Sequence, residues 1–308
     1  VDGTAVEPAS SAQAEPVASA SAAPADPVQA EPADTSVEQS DPPPMETIPK
    51  VPLGNSGLMV PMLAMGTGTA GWEGTSDQTQ LGEEKFMSLM QHGFDRGASF
   101  LDLADLYGSH PLARLVLEQV PRDSVTVASK IWWREDGGLP PAREGRSEVE
   151  RFLGELGTDY LDIVLIHSLL QESWMTDLAQ MRDELSELKE EGIVRAVGCS
   201  CHTFATLRQA AEDPWVDVIF ARVNPAGIRM DPDGTIDDIN ATLKLARANG
   251  KGVVGMKIYG DGGYAEETQR VESLRSAFQN GLVDAVTIGH LTEAQFDDTV
   301  AKLTAALS

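Results

Sequence analysis

Eight short apolar runs, beginning at roughly 32-residue intervals, constrain this chain more than any other feature. They read MLAMG, SFLDL, VTVAS, LDIVLI, IVRAVG, VDVIFARV, GVVGM and VDAVTIG. Helical stripes fill the gaps. In MTDLAQMRDELSELKEEG, Leu178, Met181, Leu185 and Leu188 share one face, and Gly192 follows as the stop. Ile236, Ile239, Leu243 and Ala246 repeat the pattern ahead of Gly250. Strand–loop–helix units in this number predict an α/β fold closed as a (β/α)8 barrel. A doubly wound sheet is the alternative, but it requires a GxGxxG turn after its first strand, and MGTGTAGW does not supply one. Upstream, VPLGNSGLMVPML places two apolar runs around Asn55-Ser56-Gly57, which predicts an N-terminal β-hairpin.

Residues 1–47 are a different material. They are mostly Ala, Pro, Ser, Val and acids, with no aromatic residue and no Lys or Arg, and half of the chain's 18 prolines fall before Lys50. Such a segment cannot bury enough apolar surface to offset its ordering entropy. The expected organisation is a disordered tether over 1–47 and a barrel over 48–308. The tether reads either as a plain solvated tail or as a spacer to an envelope site, so export or envelope tethering is one expectation for localisation and the cytoplasm the other. No apolar run is long enough to span a bilayer, and no signal-peptide core is visible. The chain begins at Val1 rather than Met, which is consistent with an upstream piece.

The net charge of −25, from 48 acids against 23 bases, argues against nucleic acid or an anionic membrane as partner. It also makes any anion site depend on locally placed cations. The two cysteines, Cys199 and Cys201, lie two apart in VGCSCHT. A strand there is expected to send their side chains to opposite faces, so no disulfide is expected between them.

In a (β/α)8 barrel, catalytic groups sit at the C-terminal ends of strands. The second run ends at Asp102, with Tyr107 five residues on; the third ends at Lys130; the fourth ends at His167. Singly, each has an ordinary structural explanation: a cap, a loop tyrosine, a solvated lysine, a satisfied core histidine. Together at one rim they suggest a proton donor. Asp102 holds Lys130 charged, Lys130 lowers the pKa of Tyr107, and Tyr107 protonates an oxygen. The histidines outside this set, His92, His110, His202 and His290, show no metal-ligand spacing, and no metal is expected.

LDLADLYG, VASK and DIVLIHS, in this order, resemble the strand-two, strand-three and strand-four signatures of the aldo-keto reductases, and VPLGNSGLMVPMLAMGTGT resembles that family's opening hairpin and first strand. The resemblance covers roughly residues 49–306. It implies a TIM barrel that reduces a small-molecule carbonyl with NAD(H) or NADP(H), with Tyr107 donating the proton and His167 orienting the substrate. It implies substrate contacts from Trp72, Trp132 and Trp133. It also implies cofactor contacts from Gly66, Thr67, Asp102, Ser200, Cys201, Arg222, Met256, Lys257, Gly289 and Gln295. A monomer is expected.

Several of these positions depart from the family's pattern. Ser-Cys stands where Ser-Asn is usual, and a thiol cannot reproduce an amide's hydrogen bonds. Arg222 stands near the usual Gln, and Met256 and Lys257 stand where a stacking aromatic is common. IGHLTEAQFDDTV contains no Lys or Arg for a 2′-phosphate; it offers Gly289, His290, Thr292 and Gln295 among acids. NADH is therefore expected to serve at least as well as NADPH. The competing expectation is a nucleotide-binding barrel that acts as sensor or scaffold with little or no turnover.

Overall fold

The computed structural model describes residues 44–231 and 233–308. A hairpin of β1 (Lys50–Pro52) and β2 (Met59–Pro61) precedes eight parallel strands. These are β3 (Leu63–Gly66), β4 (Phe100–Asp102), β5 (Thr126–Ile131), β6 (Leu161–Leu169), β7 (Val194–Cys201), β8 (Val218–Arg222), β9 (Gly252–Met256) and β10 (Ala285–Gly289). They close in chain order, with β10 pairing back onto β3. The expected barrel and its opening hairpin are both present. The helices are α1 (Glu83–Asp95), α2 (His110–Leu117), α3 (Gly145–Leu156), a short α4 (Trp174–Asp177), α5 (Ala179–Glu190), α6 (Phe204–Glu212), α7 (Ile236–Ala248), α8 (Glu267–Gln279) and α9 (Glu293–Leu307).

Parallel strands covered on both faces need apolar residues at successive positions, which is why the runs in the sequence are continuous rather than alternating. The two faces nonetheless do different things. Outward side chains such as Val127, Ile166 and Val253 pack with the helices' apolar stripes. Leu178, Met181, Leu185 and Leu188 are buried in that layer, as the periodicity requires. Inward side chains, among them Ala64, Phe100, Ala128, Leu165, Phe220, Val254 and Ala285, fill the barrel. Leu53 and Val60, flanking the hairpin turn, belong to the same inner cluster and plug the floor.

The tether expected over residues 1–47 lies almost wholly outside the described residues. Its last few residues already touch the barrel: the Met45 N–H donates to Thr304 Oγ1 at 2.9 Å, and Arg96 Nη2 donates to the Met45 carbonyl at 3.1 Å. Among the described residues, no helix is long and apolar enough to cross a membrane.

Candidate active site

Successive side chains of a strand alternate between its faces, so a residue two beyond an inward core residue also points inward, one layer higher. Phe100, Ala128 and Leu165 are inward, and two residues after them come Asp102, Lys130 and His167. The same count takes Phe220 to Arg222, Val254 to Met256 and Ala285 to Thr287. The topmost inward layer is therefore polar apart from Met256, while the layers beneath it are apolar.

The four residues expected to act together are together. Lys130 Nζ is fully buried, donates to Asp102 Oδ1 and also donates to the Leu103 carbonyl at 2.9 Å. The other carboxylate oxygen of Asp102 accepts from Thr287 Oγ1 at 2.8 Å. Tyr107 lies in a short 3-10 turn after β4, with Lys130 Nζ 4.8 Å from its ring centroid and its hydroxyl 3.4 Å from His167 Nε2. Gly68 and Gly71 let the β3–α1 loop lie against this ring. A Cβ at either would come within 2.4 Å of a Tyr107 carbon, so alanine at either position would displace the phenol.

An irregularity in β6 surrounds His167. Ile166 pairs with Cys199 but Leu169 pairs with Cys201, so β6 spends one residue more than β7 over this stretch. Ser168 takes up the difference with φ at +55°, a conformation disfavoured for residues with a Cβ. The Ser168 N–H donates to Ser200 Oγ at 2.8 Å, which pins the bulge to β7.

Burial is the largest influence on Tyr107, Lys130 and His167. It pushes the Tyr107 hydroxyl above its ordinary 10.0; Lys130 pulls the other way, as the sequence suggests, but does not prevail. The expectation of a net lowering is thus corrected: Lys130 limits the rise. Burial also disfavours charged Lys130, yet Asp102 and Tyr107 together outweigh it and leave the ammonium above its usual pKa. His167 is held well below the ordinary histidine value by burial and then by Lys130, so its ring is neutral. Its Nδ1 is buried without a partner.

A groove of about 440 Å³ runs from Asp102, Tyr107 and Lys130, past Met256, Lys257 and Tyr259, to Gln295, Asp298 and Thr299. Gly66 and Gly289 line it as well. Its walls mix amide, hydroxyl and charged groups. A larger cavity, about 620 Å³, lies at the floor beside the hairpin. Its cations are committed there, Arg247 to Asp284 and Lys251 to the Asp213 carbonyl.

Not every expected contact reaches the groove. Thr67 is fully buried and donates to the Asp102 carbonyl at 2.8 Å. Ser200 Oγ is occupied by Ser168. Arg222 Nη2 donates to His202 Nδ1 at 2.9 Å and lies 3.6 Å from Asp231, whose carboxyl burial pushes up to about 6. Lys257 and Gln295 do line the groove, but their polar groups are engaged: Lys257 is bound to Asp261 at 2.9 Å. Gln295 Oε1 accepts from the Leu291 N–H at 2.7 Å, closing the turn before α9.

Cys201 faces away altogether. Cys199 and Cys201 lie on the same face of β7, not on opposite ones, because residues two apart in a strand share a face. Both are free and fully buried in the outer layer, with sulfur atoms 3.7 Å apart. Of the tryptophans, Trp72 is 42% exposed at the mouth, whereas Trp132 is only 2% exposed and stacks edge-on against both Trp72 and His167. Trp133 donates to the His167 carbonyl at 2.8 Å. Trp132 and Trp133 thus frame His167, and Trp72 is the one presented to solvent.

The sequence profile of the aldo/keto reductase family matches residues 63–302, nearly the whole barrel. The chain belongs to the aldo/keto reductase family. Over 168 residues it is 32% identical to a Glycine max protein named "Probable aldo-keto reductase 1", covering 53% of this chain and 48% of that one. Over 222 residues it is 26% identical to the NADH-specific methylglyoxal reductase of Escherichia coli strain K12, covering 65% and 64%. The chain thus aligns with about half to two-thirds of the length of these curated relatives. The fold matches that of an aldo-keto reductase from Bacillus halodurans in its holo form, at TM-score 0.64, 19% identity, and 83% and 91% coverage.

Within this aldo/keto reductase barrel, several groove residues escape the sequence reading, among them Thr287, Gln78 and Arg270. Thr287 has a readable signal, since it stands two after inward Ala285. Gln78 lies on the β3–α1 loop, where its amide clasps Thr69 and donates to the His290 carbonyl at 3.3 Å. Arg270 comes from the first turns of α8. Nothing local marks either of the last two, because each reaches the groove through a tertiary approach.

Proposed function

We propose that this chain reduces an aldehyde or ketone to the alcohol, using NADH or NADPH, with Tyr107 as the proton donor. The observation that carries the reading is the Asp102–Lys130–Tyr107–His167 set at one end of a groove of about 440 Å³ that reaches α8 and α9. The nicotinamide supplies a hydride; the chain's own residues manage the proton and the charge. Tyr107, protonated at neutral pH, gives its proton to the oxygen as charge develops there. Lys130 lies near the ring and stabilises the phenolate left behind, and Asp102 keeps Lys130 in place. A neutral His167 with its proton on Nε2 faces the same oxygen as Tyr107 and orients it. Trp72 forms the solvent-side wall for the substrate.

Residues suited to hold the cofactor are Gly66, Met256, Lys257, Gly289 and Gln295, all on the groove. The start of α9 presents Glu293, Asp297 and Asp298, and the cations near it are already engaged, Arg96 with Asp297 and Lys302 with Asp298, which favours NADH at least equally with NADPH. The E. coli relative named as NADH-specific points the same way. Oxidation of each nucleotide, followed by absorbance against a panel of aldehydes and ketones, tests the reading. Turnover with at least one pair is expected. Tight nucleotide binding with no turnover across the panel would overturn it in favour of a sensor.

A further inference from the structure

The groove's charges balance at every point but one. Three carboxylates line it, and each has its own lysine: Asp102 with Lys130, Asp261 with Lys257, and Asp298 with Lys302. Arg270 lines the groove as well, and among the described residues no carboxylate lies within ion-pair distance of it. Its Nε donates to the Tyr264 carbonyl at 2.9 Å, and its guanidinium stands 5.6 Å from the Tyr259 ring centroid. One edge of the fork is thus fixed while its two terminal nitrogens have no partner among the described residues. In a chain of net charge −25, a half-buried guanidinium left without a carboxylate in a groove is the feature best suited to an anionic ligand.

We infer that Arg270 holds a phosphate group in the adenosine half of the dinucleotide. The inference rests on the function proposed above, which places the nicotinamide at Tyr107 and so the adenosine half toward α8 and α9. A planar fork anchored through Nε presents its remaining N–H groups for a two-point contact with phosphate oxygens. The Gly260–Gly263 turn leads into the same helix, with Gly260, Asp261 and Gly262 all at positive φ, so the backbone bends sharply beside the groove rather than filling it. Lys257 cannot take this role without giving up Asp261, nor Lys130 without giving up Asp102. Two phosphates of a dinucleotide share this chemistry, the diphosphate common to both forms and the 2′-phosphate of NADPH alone.

The test is titration of NADH and NADPH into wild type, Arg270→Gln and Arg270→Lys, by quenching of tryptophan fluorescence at several salt concentrations. Arg270→Gln is expected to weaken binding tenfold or more and to flatten its salt dependence, with Arg270→Lys intermediate because it keeps the charge and loses the fork. Equal weakening of both nucleotides identifies the diphosphate; weakening of NADPH alone identifies the 2′-phosphate. Unchanged affinity and salt dependence for both nucleotides in Arg270→Gln would overturn the inference while leaving the proposed function standing. If the wild type itself binds neither nucleotide, the proposed function falls and this assignment falls with it. A merely structural Arg270 would lower the melting temperature of Arg270→Gln without changing the salt dependence of binding.

Discussion

At the Tyr107 end of the groove every charge is buried and matched: Lys130 is enclosed by Asp102, the Leu103 carbonyl and the Tyr107 ring, and Asp102 is closed off by Thr287. At the other end, between α8 and α9, Gln295 turns back on its own loop and Arg270 engages only its Nε–H, leaving both terminal nitrogens without a partner among the described residues. The first end is built from the topmost inward residues of neighbouring strands, whose positions the barrel fixes; the second is built from helix starts and a loop. A preorganised end suits a proton transfer, because donors already in place need no rearrangement as charge develops. An end with unspent donors suits recognition, because its hydrogen bonds remain for the ligand to complete.

Breaking the matched end should cost the most. Tyr107→Phe removes only the hydroxyl and leaves the ring against Gly68 and Gly71, so the fold and nucleotide affinity should hold. A loss of roughly 10²–10⁴-fold in kcat is expected, the range for a general acid. Turnover close to wild type would show that another group delivers the proton.

Lys130→Met tests why the end is matched. Alone it leaves Asp102 buried and unpaired, and a loss of about 3–5 kcal/mol of stability is expected. Asp102→Asn with Lys130→Met should restore much of the melting temperature but not the rate. Lys130 restrains the rise in the Tyr107 pKa, so without it the hydroxyl should titrate still later. The alkaline limb of the kcat profile, already expected above pH 10 from the direction of that shift, should move further up. A slower double variant with an unmoved limb would mean that Lys130 acts on something other than tyrosine acidity.

The same contrast explains what could be read from the sequence. Asp102, Lys130 and His167 were legible because each ends an apolar run, and a barrel converts that position into an address at the mouth. Tyr107 followed from its short spacing to Asp102. The period of two also carried information that was misapplied at β7: Cys199 and Cys201 share the outer face, while Ser200 between them points inward. The thiols' mutual hydrogen bond and burial hold Cys201 well above the ordinary thiol range, as suits a packed residue. The bulge at Ser168 was not legible, since a register shift belongs to a pair of strands and not to either one. Arg270 was not legible for a related reason. The absence of Lys and Arg from the β10–α9 segment described one wall of the groove, and α8 supplies the other.

Sharpening the recognition end calls for an added charge. Gln295→Arg gives up the side-chain acceptor for the Leu291 N–H and places a second guanidinium across from Arg270. The preference should shift toward NADPH by about tenfold, worth about 1.4 kcal/mol, with NADH affinity little changed. Paired titrations at matched ionic strength measure the ratio. An unchanged ratio would place the 2′ position away from α9.

The smallest effect should come from a segment on which neither end draws. Deleting residues 1–43 removes chain with no aromatic side chain and no cation, which has little with which to dock. Melting temperature and specific activity should stay within error of the full chain. Extending the deletion through Thr47 is a different matter, because Met45 packs beside the outer core, bonds to Thr304 on α9 and accepts from Arg96. Arg96 also holds Asp297 at 2.6 Å near the start of α9, so the longer deletion loosens a contact that steadies the recognition end. A modest fall in melting temperature is expected for it, with nucleotide affinity falling more than kcat. If the shorter deletion already lowers stability, residues 1–43 contribute to the folded protein, and the division at residue 47 must move toward the N-terminus.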